Sequence, residues 1–293
     1  SERLTALLSG IGIVISKRQV VRLLTGRLDA FVTEDREVLQ DSSLIGGEAK
    51  RVPFLLAQMN LLLHGLEAPD ITLGNTLSRQ RLTQIGERGR VNVILTNPPF
   101  GGEEEVGIQA NFPDDRRTNE TAMLFLQLIM RRLKRHGQGR AAVIVPNGTL
   151  FEGGVAARGK ADLLREFNLH TVLRLPEGVF APYTDIPTNV IFFDTSGPTQ
   201  TISYWHQPAP EGRRKYSKTA PLQFEDLADC LAWWCARGED ARAWTVPAEG
   251  LIRTDAEGRV LAVNLDLKNP NAVEAEDHRT PAEIVSACTP AYL

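Results

Sequence analysis

The sequence predicts an α/β fold with a mostly parallel sheet, helices on both faces and one antiparallel strand. Three observations point there. Short strand-like runs alternate with helix-like segments through the middle of the chain, the order of β-α-β units. Val91–Leu95 (VNVIL) is rich in β-branched residues, which favour strands. His170–Leu175 and Asn189–Phe193 (NVIFF) are joined by a loop without a helix, so one of them can run against the others.

The elements follow in order. Ser43–Glu48 (SLIGGE) is a short apolar run ending in Gly-Gly-Glu. Pro53 opens a helix, PFLLAQMNLLLHG, because proline suits the first helical turn, and Gly65 closes it. Ile71–Leu73 is a short strand, followed by Val91–Leu95. Asn119 is placed to cap a long helix through Arg135, with Gly137 as its stop. Ala122, Leu126, Ile129, Met130 and Leu133 fall on one stripe of that helix. Ala141–Val145 (AAVIV) is the next strand, then a helix over Lys160–Asn168 and the two strands named above. Residues 33–200 thus read as the sheet domain. Residues 201–293 hold all four tryptophans (Trp205, Trp233, Trp234, Trp244) and many charges, and read as a C-terminal extension packed back on it. Residues 1–32 read as a divergent or truncated N-terminal segment.

Composition narrows the class. The chain has 293 residues, 42% hydrophobic and 24% charged, which is enough apolar content for a packed core and argues against disorder. No run approaches the roughly 18 apolar residues of a membrane span. Cys230, Cys235 and Cys288 are too few and too scattered for a disulfide frame or a zinc site, so a reducing cytoplasm is the expected compartment and no metal is expected. The net charge is −3, whereas a protein that grips DNA alone usually carries a basic excess. Contact with nucleic acid must then be local or shared with a partner. Two basic runs exist, RRLKRHGQGR over residues 131–140 and GRRKYSK over 212–218, and solvated helix ends or loops are the simpler explanation of each.

The informative segment is Asn97-Pro98-Pro99-Phe100, directly after VNVIL and Thr96. In an open parallel sheet, ligands bind outside the carboxyl ends of the strands. Two prolines fix the backbone and remove two N–H donors, leaving a rigid turn with bare carbonyls. Asn97 adds an acceptor oxygen, and Phe100 a flat face for stacking. Gly101 and Gly102 allow close approach of a ligand. An exocyclic amino group on a planar base fits this loop. The Asn97 side-chain oxygen and the Pro98 carbonyl can accept its two hydrogens, freeing the nitrogen lone pair for in-line attack on a methyl donor. Catalysis is then mostly positioning and preorganised acceptors. The corner is expected to present these oxygens openly in front of a cavity.

An NPPF loop after a strand resembles the catalytic loop of amino-group methyltransferases that use S-adenosylmethionine. LLAQMNLLLHGLE, GNTLS, ILTNPPFGG, NETAMLFLQLIMRRLK, VPNGTLF, LPEGVFAPYTDIPTNVIFFD and NLDLKNP together resemble the modification subunit of type I restriction–modification systems, an N6-adenine DNA methyltransferase, over about residues 33–285. The resemblance implies a Rossmann-like methyltransferase fold with its core over 33–200, S-adenosylmethionine as cofactor, DNA as substrate, and separate specificity and restriction subunits as partners. It places Asn97, Pro98, Pro99 and Phe100 on the catalytic tetrapeptide. It places Glu48 on the cofactor's ribose hydroxyls, where an acid at a strand end is also what ribose binding requires. Asn75, in GNTL, falls where the family contacts the cofactor's adenine, often through Asp. Phe180, in VFAPY, falls where related enzymes set a second aromatic against a base flipped out of the duplex.

Family members also carry an Asp-Pro-x-Cys-Gly-Thr-Gly-Gly-Phe loop ahead of the acidic strand. Ser9-Gly10-Ile11-Gly12 and Thr25-Gly26-Arg27 are its only echoes here. Weak or absent S-adenosylmethionine binding by this chain alone is therefore expected. A catalytically impaired remnant that keeps the fold and partner binding is one alternative. A methyltransferase acting on protein glutamine or on RNA is another, though Phe100 in place of Tyr and the long flanking match count against it. His64 reads as a structural histidine, and the Trp233–Trp234 pair as packing.

Overall fold

A computed structural model of the chain describes residues 44–271, apart from 64–65, 68–69 and 210–211. The expectations for residues 1–32, His64, the end of the first helix at Gly65 and Cys288 lie outside the described residues. Six strands form the main sheet: β3 (Val93–Thr96), β4 (Arg140–Pro146), β5 (Asn168–Arg174), β6 (Thr188–Asp194), β7 (Thr201–His206) and β8 (Ala243–Pro247). Their order is β3-β4-β6-β5-β7-β8. β3, β4, β5 and β7 share one direction, while β6 runs against both β4 and β5. This is the antiparallel strand expected from the helix-free link between β5 and β6. A second reversed strand, β8, pairs with β7, so the region read as an extension adds two strands to the sheet.

β1 (Ile45–Glu48) and β2 (Asp70–Leu73) form a separate parallel pair bridged by helix α1 (Arg51–Leu63). That helix begins two residues ahead of Pro53. Proline at the third position lacks an N–H that would have no intrahelical partner there, so it extends the helix backward without penalty. α2 (Val106–Gln109) is a single turn in the loop after β3.

Helix α3 (Thr121–Arg132) is shorter than the expected span to Arg135, and Asn119 is not its cap: Glu120 stands there and makes no side-chain cap bond. The stripe of Leu126, Ile129, Met130 and Leu133 is buried, with Ala122 only half-buried. Leu124 and Leu128 on the other face are buried too, against Leu77, Ile85 and Phe112. Two layers cover this helix, so a one-face pattern understates it. α4 (Asn147–Phe151) and α5 (Gly154–Glu166) follow β4, and α5 starts six residues ahead of the expected Lys160. A hairpin of β9 (Ile252–Thr254) and β10 (Val260–Val263) packs on the same side as α3 and α5, with Val263 in the main core.

The other face of the sheet is covered by α6 (Ala228–Ala236), where Leu173, Trp205, Cys230 and Trp233 form a second core. Trp205 and Trp244 are 1% and 2% exposed, and Trp244 stacks on Tyr204 with ring centroids 5.0 Å apart. Tryptophans buried to this degree are core residues of the sheet. Among the described residues no helix is long and apolar enough to cross a membrane.

Candidate active site at the carboxyl ends of β3 and β4

The pairing register fixes where the tetrapeptide lies. Thr96, the last residue of β3, is opposite Val143 of β4, so Asn97–Phe100 leave the sheet beside Ile144–Asn147. β6 enters at the same edge, with Thr188 opposite Pro146, and β5 leaves it at Arg174, opposite Asn189. The edge therefore gathers side chains from four strands.

At the corner itself, Pro98 is buried, Pro99 exposed, and Asn97 and Phe100 are half-buried. The Asn97 Oδ1 atom is shielded from solvent and accepts no hydrogen bond. The corner is thus more closed than the sequence suggested. A buried acceptor without a donor costs about 1–3 kcal/mol, and a donor brought to it, such as an amino group, recovers that energy. Phe100 meets Phe180 edge-to-face, with ring centroids 5.4 Å apart. The two aromatics singled out for a flipped base are brought together, and the Phe180 ring rests against the plate on which a base would stack. Gly101 is left-handed at φ +64° with open space where a Cβ would be, as ligand approach requires. Gly102 serves packing instead: a Cβ there would lie 2.8 Å from Thr121 Oγ1 of α3.

Behind the corner is a carboxylate relay. Glu104 accepts from Asn75 Nδ2 at 3.1 Å and from the Thr121 hydroxyl at 3.3 Å. Asn75 Oδ1 in turn accepts from the Leu77 backbone N–H at 2.9 Å, capping a short 3-10 turn. One donor and the acceptor of the Asn75 amide are thereby engaged within the protein. Glu48 is 7% exposed at the end of β1, and its Oε1 accepts from Lys50 N at 2.8 Å. Its other oxygen has no protein donor among the described residues. Of the two groups expected at a nucleoside, Glu48 keeps one oxygen without a donor among the described residues, while Asn75 is largely spent.

Further residues of this edge escaped the sequence reading. Asn189 Nδ2 donates to Asn147 Oδ1 at 3.0 Å, and Asn147 Nδ2 donates to Asp266 at 3.3 Å. Asp266 is also paired with Arg174. The VPN, PTN and NLD stretches, far apart in sequence, so form one polar network. Their only signal was membership of quoted motifs, since an Asn or Asp at a strand end has no periodicity to betray it.

A buried charged cluster lies where α3, α4 and α5 meet. Lys160 is 1% exposed and donates to the carbonyls of Leu150 and Glu152, both at 2.9 Å. Burial, helped by a hydrogen bond with the Glu152 carboxyl, pushes the Glu120 carboxyl up to about 7. The folded chain then binds more protons than the unfolded chain between Glu120's ordinary value near 4.5 and about 7, so stability falls as pH rises through that window. Glu120→Gln is expected to raise the Tm relative to the native chain at pH 8 and to change it little at pH 5. Thermal melts at the two pH values check this, and an equal shift at both would show that Glu120 does not titrate there.

Comparison with known proteins agrees with this geometry. The N-6 DNA Methylase family matches residues 23–275. The type I restriction enzyme EcoEI methylase subunit of Escherichia coli is 44% identical over 262 residues, covering 87% of this chain and 51% of the relative. The EcoKI methylase subunit of E. coli K12 is 31% identical, covering 88% and 49%. The chain spans about half the length of these curated relatives. Among solved structures, a chain assigned as the modification subunit of a type I restriction enzyme from Vibrio vulnificus YJ016 superposes with a TM-score of 0.80 at 58% identity, over 85% of this chain and 52% of that one. The EcoKI M protein superposes with a TM-score of 0.64 at 25% identity, over 85% and 59%. With its α/β sheet and the NPPF corner at the end of β3, this chain belongs to the N-6 DNA methylase family.

Proposed function

We propose that this chain carries the methyl-transfer site of a type I modification subunit and methylates the N6 amino group of adenine in DNA. The observation that carries the proposal is the unpaired Asn97 Oδ1 beside the Pro98 turn, with Phe100 as the adjoining aromatic face. Among the described residues no donor reaches the Pro98 carbonyl, so neither oxygen is engaged by the protein, and the shielded Asn97 Oδ1 meets an amino group once the corner has opened to admit the base. Held between them, the nitrogen loses conjugation with the ring and turns its lone pair outward. The rate gain comes from orientation and from acceptors that need no reorganisation.

The base reaches the corner only when flipped out of the duplex, which costs roughly a few kcal/mol. Stacking on Phe100 repays part of this, once Phe180 has moved from its edge contact to the far side of the base. S-adenosylmethionine, when bound, supplies the electrophilic methyl group. Glu48 would hold its ribose hydroxyls with the oxygen not used by Lys50. Asn75 would keep the Glu104–Thr121 relay, and with it the loop after the corner, in place for the adenine end. Sequence choice in DNA falls to a specificity subunit, and cleavage to a restriction subunit, in keeping with a net charge of −3.

The test is direct. The chain is incubated with duplex DNA, a specificity subunit and S-adenosylmethionine labelled on its methyl group, and the DNA is digested to nucleosides. Label in N6-methyl-2′-deoxyadenosine is expected. Label in protein or RNA, when these are offered instead, would move the assignment to another amino-group methyltransferase. Retained partner binding without label in any product would make the chain a non-catalytic remnant.

A further inference from the structure

The opposite end of the sheet carries a second feature. The loop before β3 and the turn between α3 and β4 enclose a cleft of about 400 Å³, lined by Glu87, Arg88, Lys134, Arg135, His136 and Gln138. Val91 pairs with Leu133 here, and Lys134 N donates to Val91 O. The strand from Val91 to Asn97 separates the cleft from the catalytic corner by about 20 Å at roughly 3.3 Å per residue. This is the run RRLKRHGQGR folded back on itself.

Its charges do not cancel. Glu87 is paired with Arg90, and Arg135 with Glu166 at 3.4 Å. Among the described residues no carboxylate forms an ion pair with Arg88 or Lys134. Arg88 is exposed and Lys134 half-buried. The run turns back tightly here: Gln138 N donates to Arg135 O at 3.4 Å across His136 and Gly137, both left-handed at φ 58° and 73°. The turn sets the His136 imidazole on the wall of the cationic cleft.

We propose that this cleft binds backbone phosphates of nucleic acid, at a site separate from the one that takes the base. Open geometry and cations spread over two loops suit successive phosphodiesters better than a single enclosed phosphate ion. DNA held here and at the catalytic edge would be gripped on two sides of the sheet. The site explains how a chain with net negative charge holds a polyanion locally.

Fluorescence anisotropy of the full chain with a labelled non-specific DNA duplex, from 50 to 200 mM salt, tests this without any methyl transfer, so it stands or fails apart from the catalytic reading. Each phosphate contact contributes about 0.9 to the slope of log affinity against log salt. The double variant Arg88→Gln/Lys134→Gln is expected to lower that slope by nearly 2, and Arg88→Lys/Lys134→Arg to keep it. Arg88→Glu, at an exposed position, is a second probe that leaves the fold intact and is expected to weaken binding severalfold. Inorganic phosphate at constant ionic strength is expected not to displace the duplex. The proposal is overturned by a slope that the charge-removing variants leave unchanged, as it would be if an acidic protein used the cleft. Displacement by inorganic phosphate, or no measurable binding by the native chain, overturns it as well.

Discussion

Asn97→Ala is expected to lower methyl transfer by about 10²–10³-fold, while binding of DNA and of the methyl donor changes little. The size follows from the role. A preorganised polar group aimed at charge that develops in the transition state is worth about 2.7–4 kcal/mol when removed. Asn97 Oδ1 is already unpaired and out of solvent, so alanine removes an acceptor that holds no hydrogen bond in the resting protein among the described residues. The change is then expected to be neutral or slightly stabilising in a urea melt, because an unsatisfied buried oxygen disappears with it. This pairing of lost turnover with unharmed stability is what a purely structural asparagine would not give. Single-turnover rates with saturating DNA, set beside the melt, measure both. Asn97→Asp offers a finer check: it keeps an acceptor but adds a buried negative charge, and activity is expected to fall less than with alanine.

Much of this site was legible because its chemistry is local. Asn97, Pro98, Pro99 and Phe100 are consecutive, and a strand-end position follows from the β-branched run before them. Phe180 was reachable only through resemblance, yet it meets Phe100 across 80 residues of chain. The antiparallel β6 was visible as a missing helix. By contrast, β8 was not foreseen, because AWTVP carries no long apolar run and pairing with β7 is settled by Tyr204 and Trp244 stacking. Tryptophans in a charged stretch suggested an extension packed back on the sheet, and here they supply the bulk that fills both faces of it. The Asn147–Asn189–Asp266–Arg174 network was invisible for a related reason: its members lie on three strand ends and a distant loop, and only the fold brings them together.

Lys160 gave no sign of its importance in sequence, where it marked only the expected start of a helix. Its ammonium is buried and donates to two backbone carbonyls at the ends of α4 and just beyond it. Lys160→Met keeps the aliphatic stem and removes the donor. The Leu150 carbonyl retains a bond from Leu265 N at 2.9 Å, but the Glu152 carbonyl loses its partner, and the Glu120–Glu152 pair loses its nearby cation. Leaving a buried acceptor unpaired costs about 1–3 kcal/mol, and the variant no longer buries an ammonium that is charged near pH 7, which offsets part of that cost, so a net loss of no more than about 1–3 kcal/mol is expected there. The pH dependence separates this from a simple packing defect. Burial lowers the Lys160 amine to about 8, from 10.5 when free. Between those values the unfolded chain binds the extra proton, so the native chain gains stability as pH rises. The methionine variant has no such gain. Urea melts at pH 8 and pH 10 are therefore expected to show the gap between the two chains widening with pH, whereas a gap that stays constant would mean that the Lys160 amine titrates as it does in water.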